Sequence, residues 1–156
     1  MSVSATVLFK GNVTHKLDPK SRVAIPANWR AAQGAVLTLI EASGSGYPII
    51  KCYTEAAFEQ KMDDIRRQAA AAGAEPGDID RYIGIITGRS FEAEVSGQGK
   101  LLIPKAQRDR LHLEDSAVLV GRGDYFEIWA PADYAAADSD AALAQLALDK
   151  RFHILS

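Results

Sequence analysis

Residues 17–26 read LDPKSRVAIP, and residues 95–104 repeat this pattern in altered form as VSGQGKLLIP. Each copy has an apolar residue, a five-residue turn segment that ends in a cation, three apolar residues and a proline. A second arginine follows each proline after four residues, at Arg30 and Arg108. The chain therefore contains an internal repeat with an offset of 78 residues, and we expect the differences between the copies to carry functional information.

The first half is predicted to contain two β-hairpins and two helices. In the first turn, Pro19 presets a turn dihedral and Asp18 can accept backbone hydrogen bonds. The predicted elements are, in order, strands at 13–17 and 22–25, a short helix at 27–33 ended by Gly34, strands at 36–42 and 47–53, and a helix capped by Thr54. That helix carries an apolar stripe that we interpret as core: Phe58, Met62, Ile65 and Ala69.

The second half is predicted to repeat this order. Its elements are strands at 91–95 and 100–103, a short helix at 104–110, strands at 117–120 and 125–129, and a helical tail from Pro131, where Tyr134 takes the place of Phe58. An amphipathic helix with Ile79, Tyr82, Ile83 and Ile86 is predicted at 78–87. We therefore divide the chain into a first repeat with its helix (9–75), a connecting segment (76–90) and a second repeat with its helical tail (91–156). Units this small seldom bury enough surface alone, so we expect a shared core.

Bulk composition limits the class of protein. The 156 residues are 47% hydrophobic and 24% charged, which is typical of an ordered globular chain. Residues 1–6 lack the basic start of a signal peptide, and no apolar run reaches the roughly 20 residues needed to cross a bilayer. A single cysteine, Cys52, lies in an apolar run and is expected to be a buried thiol. We expect a soluble protein of the cytoplasm.

The positive charge is concentrated on the repeated segments. The chain has a net charge of −2, but residues 10–30 carry +4 and residues 100–110 carry +3, so the other residues carry −9. This distribution favours a polyanionic partner at the two hairpins. The alternative is that these are ordinary solvated surface cations.

Several short motifs together resemble those of the MraZ family. They are Phe9 with Gly11, His15, Leu17-Asp18, Ser21-Arg22, Ile25-Pro26, Arg30 and Glu127-Ile128-Trp129. MraZ proteins are bacterial transcriptional regulators with two tandem SpoVT/AbrB-like domains. The resemblance implies an α+β fold in which two β-hairpin/helix repeats form a pseudo-twofold, interleaved (swapped-hairpin) β-barrel with flanking helices.

The same resemblance implies a function and partners. The expected partners are double-stranded DNA and further copies of the chain, assembled as a ring. The expected target is a set of DNA repeats upstream of the cell-division and cell-wall gene cluster, including the protein's own promoter, which places it on the nucleoid. The family's Asp-x-x-x-Arg signature falls on Asp18 and Arg22.

The chemistry of the first hairpin supports this assignment. An arginine at the end of a tight turn can bind a phosphate or a guanine edge with two hydrogen bonds, and Asp18 can hold Arg22 in one rotamer. We expect Lys16 and Lys20, with His15 and Lys10, to supply phosphate contacts. The alternative is that Asp18 and Arg22 only close the hairpin as a surface ion pair.

The second hairpin departs from the signature, because Ser96 and Lys100 replace the aspartate and the arginine. Lysine keeps the charge but loses the forked geometry, so our hypothesis is that the first hairpin specifies sequence while Lys100, Lys105 and Arg108 anchor the DNA backbone. The alternative is that the second hairpin is mainly architectural. For Arg30 and Arg108 we favour a structural role, and we expect packing roles for the two tryptophans, Trp29 and Trp129.

Catalysis has little support in the sequence. The histidines at 15, 112 and 153 are far apart, no Cys/His metal spacing occurs, and no phosphate-binding glycine loop is present. We expect no enzymatic activity, cofactor, metal, membrane partner or small-molecule substrate. The competing function is that of an AbrB-like antitoxin or protein-interaction module without base-specific DNA readout.

Overall fold

Two antiparallel β-sheets and the helices around them make up the fold. The structure is a computed structural model that describes residues 9–30, 36–152 and 154–155. The strands within these residues are β1 (Asn12–Lys16), β2 (Arg22–Ala24), β3 (Val36–Gly44), β4 (Tyr47–Thr54), β5 (Phe91–Glu94), β6 (Lys100–Leu102), β7 (Ser116–Gly121) and β8 (Phe126–Trp129). The predicted α+β class is confirmed.

The order of the strands is symmetric between the two halves of the chain. Six strands form one sheet in the order β1-β7-β8-β4-β3-β5, and β2 pairs with β6 in a separate two-stranded ribbon. Exchanging β1 for β5, β2 for β6, β3 for β7 and β4 for β8 gives the same order read from the opposite edge. The first strand of each half consequently pairs with a strand of the other half, β1 with β7 and β5 with β3.

The helices largely follow the predicted positions. They comprise a short 3-10 helix (Ala27–Trp29) and the α-helices α1 (Glu55–Ala71), α2 (Pro76–Arg89), α3 (Lys105–Arg110), α4 (Pro131–Ala137), α5 (Asp140–Ala144) and α6 (Leu148–Phe152). Thr54 caps α1 as predicted, because its Oγ1 accepts a hydrogen bond of 3.0 Å from the Ala57 N–H. None of the helices in the described part of the chain has the length and hydrophobicity required to span a bilayer.

Some predicted details of the helices differ in the structure. Helix α2 extends two residues beyond each end of the predicted segment, and Pro76 occupies its first turn, where proline is favoured. Ile83 on this helix is buried, but Tyr82, which we predicted on the apolar stripe, is 54% exposed. On α1, Met62 of the predicted stripe is buried, and the other three stripe residues are partly buried. The predicted end of the first short helix at Gly34, the segment 1–6 and His153 lie outside the described residues.

The larger of two hydrophobic clusters in the described residues contains side chains from both halves, including those on the buried side of the ribbon. Val23 of β2 and Leu101 of β6 are opposite each other in the ribbon and both are fully buried. Both tryptophans and Cys52 are buried, which confirms their predicted packing roles. The rings of Phe9 and Trp29, from the first half, both contact the ring of Phe126 from the second half. The ribbon is therefore packed on a cluster to which both halves contribute.

Among the described residues, one charged side chain is buried. Glu127 on β8 is 4% exposed, and its Oε1 accepts hydrogen bonds from Arg122 Nε at 2.7 Å and from Trp129 Nε1 at 2.9 Å. The buried carboxylate is therefore paired and hydrogen-bonded, as the cost of burying a charge requires.

Candidate nucleic-acid interface

The ribbon exposes one face on which the predicted DNA-binding side chains meet. In the β2–β6 pairing, Arg22 is opposite Leu102 and Ala24 is opposite Lys100. Successive side chains in a strand alternate between faces, and the intervening Val23–Leu101 pair is buried. The other four side chains therefore share the outer face, which we call the ribbon face: Arg22, Ala24, Lys100 and Leu102.

Asp18 organises the first turn and fixes Arg22. Its Oδ1 accepts hydrogen bonds from the backbone N–H groups of Lys20 at 2.8 Å and Arg22 at 2.9 Å, and its Oδ2 accepts one from Arg22 Nε at 2.8 Å. The hydrogen bond from the Arg22 backbone N–H is the main cause that lowers the pKa of Asp18, and partial desolvation opposes it. The carboxylate thus has both predicted roles, because it shapes the turn and holds the guanidinium in place.

The second turn has the same hydrogen bond to its backbone, but a serine hydroxyl replaces the carboxylate as the acceptor. Ser96 Oγ accepts a hydrogen bond of 3.1 Å from the Lys100 N–H, as Asp18 does from the Arg22 N–H. Lys100 Nζ lies 3.8 Å from Asp18 Oδ2, across the ribbon. A single carboxylate of the first repeat therefore faces the cations of both repeats. The structure places Arg22, Asp18 and Lys100 together.

The remaining predicted cations surround this centre less tightly. Lys20 lies at the exposed tip of the first turn, and Lys16 is exposed at the end of β1. Lys105 is exposed at the start of α3, where its Nζ is 3.1 Å from Asp109 Oδ2. Lys10 is also exposed, whereas His15 is partly buried in β1. Lys105 is thus paired on its own helix, whereas Arg22 is held by the carboxylate of the first turn.

Each turn is held by the second arginine of the other repeat. Arg108 Nη1 donates a hydrogen bond of 2.6 Å to Ser21 Oγ in the first turn, and Arg108 Nη2 donates one of 2.6 Å to the Glu114 carbonyl oxygen. Arg30 Nε donates to the Ile25 carbonyl oxygen at 3.1 Å, and its guanidinium lies against Gly99 of the second turn. The structural role favoured for both arginines is thus observed, with carbonyl and hydroxyl oxygens as the acceptors.

The two edge strands beside the ribbon differ in charge. The exposed positions 14 and 16 of β1 are Thr14 and Lys16, and the positions 78 residues later in β5 are Glu92 and Glu94. A cavity of about 370 Å³ lies between the ribbon and β5, with Arg22 and both glutamates in its lining. The surroundings of the ribbon are therefore basic on the β1 side and acidic on the β5 side.

Leu102 is the member of the ribbon face that the sequence interpretation missed. The sequence pattern groups it with Leu101 and Ile103 as three apolar residues after Lys100, but Leu101 and Ile103 are buried and Leu102 is 49% exposed. Strict alternation along a strand would have placed Leu102 outward beside Lys100. In the described residues, no group of three His, Cys, Asp or Glu side chains is arranged to hold a metal ion.

Comparisons with known proteins agree with the motif resemblance. The family model for the MraZ protein, described as antitoxin-like, matches residues 86–151. A Ruegeria pomeroyi protein named Transcriptional regulator MraZ is 30% identical over 142 residues, which cover 81% of this chain and 79% of that protein. A protein of the same name from Desulfosudis oleivorans is 30% identical, and the match covers 81% of this chain and 83% of that protein. Another from Rickettsia bellii is 29% identical, and the match covers 89% of this chain and 90% of that protein. This chain belongs to the MraZ family.

Proposed function

We propose that this chain is a sequence-specific double-stranded DNA-binding regulator of transcription, without enzymatic activity, that acts on the bacterial nucleoid. The observation that carries the proposal is the ribbon face, on which Asp18 holds Arg22 in a fixed orientation next to Lys100. A two-stranded ribbon fits the DNA major groove, and a fixed guanidinium can bind the two acceptors of a guanine. The names of the relatives, Transcriptional regulator MraZ, support the same function.

The charge distribution around the ribbon supports an orientation for the duplex. Phosphates are favoured on the β1 side, near Lys16 and Lys20, and disfavoured beside Glu92 and Glu94. We propose that Lys16, Lys20 and Lys105 contact phosphates, that Lys100 does so from the ribbon face, and that Arg22 reads a base. In this arrangement Asp18 is a positioning residue, since its carboxylate is occupied by Arg22 and the turn.

The proposed architecture is a pair of tandem repeats, 9–75 and 91–156, joined by the segment 76–90. The symmetric strand order supports it, as does the exchange of first strands between the halves. We propose that these hairpins form the interleaved pseudo-twofold barrel of the family, with the six-stranded sheet and the ribbon as its walls.

We also propose that several copies assemble as a ring on repeated sites upstream of the cell-division and cell-wall gene cluster, including the protein's own promoter. Large apolar side chains near the C-terminus support self-association, because Leu146, Leu148 and Phe152 are each more than half exposed. Several ribbons on one duplex would gain affinity through a high effective concentration. The test is to compare DNA with one repeat and with several repeats, alongside the molar mass in solution.

The DNA-binding test compares variants on two duplexes, the chain's own upstream region and a scrambled duplex of equal composition, over a salt series. Arg22→Ala should weaken binding to the upstream DNA by about tenfold to a hundredfold and have a smaller effect on the scrambled DNA. Lys100→Ala should weaken both alike and reduce the slope of log K against log salt by about one. Lys61→Ala is the matched control, because Lys61 is exposed on α1, which packs on β3, β4 and α2.

Two outcomes would contradict these proposals. Equal losses on both duplexes for Arg22→Ala and Lys100→Ala would refute the division of labour between the hairpins. Equal affinity of the unaltered protein for upstream and scrambled DNA would refute sequence-specific binding.

The second candidate function is that of an antitoxin-like protein-interaction module, and the description of the matching family model favours it. Purification of the tagged chain from its own cells distinguishes the two functions. A stoichiometric unrelated polypeptide would support the interaction module, whereas DNA and further copies of the chain would support the regulator.

A further inference from the structure

Leu102 is the large apolar side chain of the ribbon face, and it is half exposed. It lies on the ribbon face, with Arg22 directly opposite and Lys100 two residues before it on the same strand. Its neighbours in the chain, Leu101 and Ile103, are fully buried, so β6 is anchored in the core while Leu102 remains 49% exposed. The backbone therefore holds the leucine rigidly at the surface that we propose contacts DNA.

The major groove offers one apolar group on the base edges. Guanine, cytosine and adenine present hydrogen-bond donors and acceptors there, whereas thymine presents its 5-methyl group together with an acceptor. Leucine has no polar atoms in its side chain, and a contact with a methyl group is the base-specific contact open to it. A leucine on a ribbon that enters the major groove thus selects for thymine.

The pairing in the ribbon also limits where that thymine lies. Directly opposite residues of an antiparallel pair have Cβ atoms about 4.5–5.5 Å apart, while successive bases of one strand are about 3.4 Å apart along the helix axis. Leu102 therefore reaches a base within about two steps of the base that Arg22 contacts. Ala24 is the counterpart of Leu102 in the first repeat, and its side chain is too short for the same contact. The contact is therefore expected only at the end of the ribbon where Leu102 faces Arg22.

We propose that Leu102 is a specificity-determining residue that contacts the 5-methyl group of a thymine within about two base steps of the base bound by Arg22. The proposal rests on the proposed DNA-binding function and extends it, because it gives the second repeat a role in reading sequence. Lys100 and Leu102 then divide the tasks of β6, one binding phosphate and the other a base.

The test replaces each thymine of the bound upstream repeat, one at a time, by deoxyuridine, which lacks only the 5-methyl group. Affinity is measured by fluorescence anisotropy for the unaltered protein, for Leu102→Ala and for Ile85→Ala, a matched loss of an exposed aliphatic side chain on α2. At one or two positions, uridine should weaken binding of the unaltered protein and of Ile85→Ala by about fourfold, the value of one methyl group removed from water. Leu102→Ala should bind the natural repeat more weakly and show no further loss at those positions.

The outcomes separate this proposal from the function on which it rests. If the unaltered protein binds the repeat specifically but tolerates uridine at every position, the Leu102 proposal is wrong and the regulator function stands. The same holds if Leu102→Ala keeps the full sensitivity to uridine. If the unaltered protein shows no preference for the upstream repeat, the proposed function itself fails. Thermal unfolding of Leu102→Ala checks that the variant is folded, as expected for a half-exposed side chain.

Discussion

Gly99→Ala should lower the free energy of unfolding by about 2 kcal/mol, because Gly99 meets two constraints at once. Its φ is +76°, in the left-handed region, and an added Cβ would lie 2.3 Å from Arg30 Nε and 2.5 Å from Arg30 Cζ. The left-handed backbone costs a residue with a Cβ about 1 kcal/mol. Displacing the Arg30 guanidinium from the Ile25 carbonyl oxygen costs about 1.5 kcal/mol more. Alanine also lowers the conformational entropy of the unfolded chain, which offsets about 0.5 kcal/mol of this cost.

The equivalent position of the first repeat shows why Arg30 matters for this estimate. Ser21 has φ +61° and carries a Cβ, and there Arg108 donates a hydrogen bond to the serine hydroxyl. The turn itself therefore accepts a side chain. The packing of the guanidinium against the backbone of Gly99 is what excludes one in the second repeat.

Urea unfolding of four proteins at one fixed protein concentration measures the effect: the unaltered chain, Gly99→Ala, Arg30→Ala and the double variant. In the Arg30→Ala background, Gly99→Ala should lower the free energy of unfolding only by the net backbone contribution of about 0.5 kcal/mol. Gly46→Ala is the matched control, since its φ is +86° and nothing lies within 4 Å of the added Cβ. An equal cost of Gly99→Ala in both backgrounds would refute the contact between the two repeats as its cause.

Three further predictions concern the core. Gly121→Ala places a Cβ 2.4 Å from the Phe9 carbonyl oxygen, a backbone atom that cannot rotate away, and should lower Tm by about 10 °C, a cost of about 3 kcal/mol; an unchanged Tm would contradict this. Glu127→Gln removes the charge that Arg122 Nε contacts at 2.7 Å, and should lower the free energy of unfolding in urea by about 2 kcal/mol. A loss below about 0.5 kcal/mol, which is typical of solvent-exposed ion pairs, would contradict this. Burial raises the pKa of the Cys52 thiol well above 9, so the folded chain keeps a proton that the unfolded chain releases. The contribution of Cys52 to the free energy of unfolding should therefore be constant below about pH 9 and fall above it by up to about 1.4 kcal/mol per pH unit. Cys52→Ala should remove this part of the pH dependence.

Local features of the fold could be predicted because their causes are close together in the chain. The Asp18 turn, the Thr54 cap and the buried Cys52 each depend on a few neighbouring residues, and the structure has all three. The repeat also predicted that equivalent elements occur in both halves. Local chemistry is sufficient for turns, caps and the choice between helix and strand.

The pairing between the halves could not be predicted from the residues alone. Nothing in the local pattern of β2 states that its partner is β6, 78 residues away, or that Arg108 reaches Ser21. Such contacts depend on how two hairpins pack on a shared core, and a shift of one residue in register would turn every side chain to the other face. The burial of Glu127 also depends on this packing, because its strand β8 lies between β7 and β4, and β4 belongs to the other half of the chain.

The ribbon face is a property of the whole chain, because each of its turns depends on the half to which it does not belong. The Ser21 carbonyl oxygen accepts a hydrogen bond from the Ile103 N–H at 2.9 Å, and the Gly99 carbonyl oxygen accepts one from the Ile25 N–H at 2.8 Å. These reciprocal bonds would suit two identical subunits, but fusion into one chain allows equivalent positions to differ. Since Asp18 already faces both cations, an aspartate at position 96 would add a second negative charge and weaken the attraction for the DNA that we propose this face binds. Serine at 96 keeps the turn and avoids that charge, so the loss of the signature in the second repeat is consistent with one shared carboxylate that serves both hairpins.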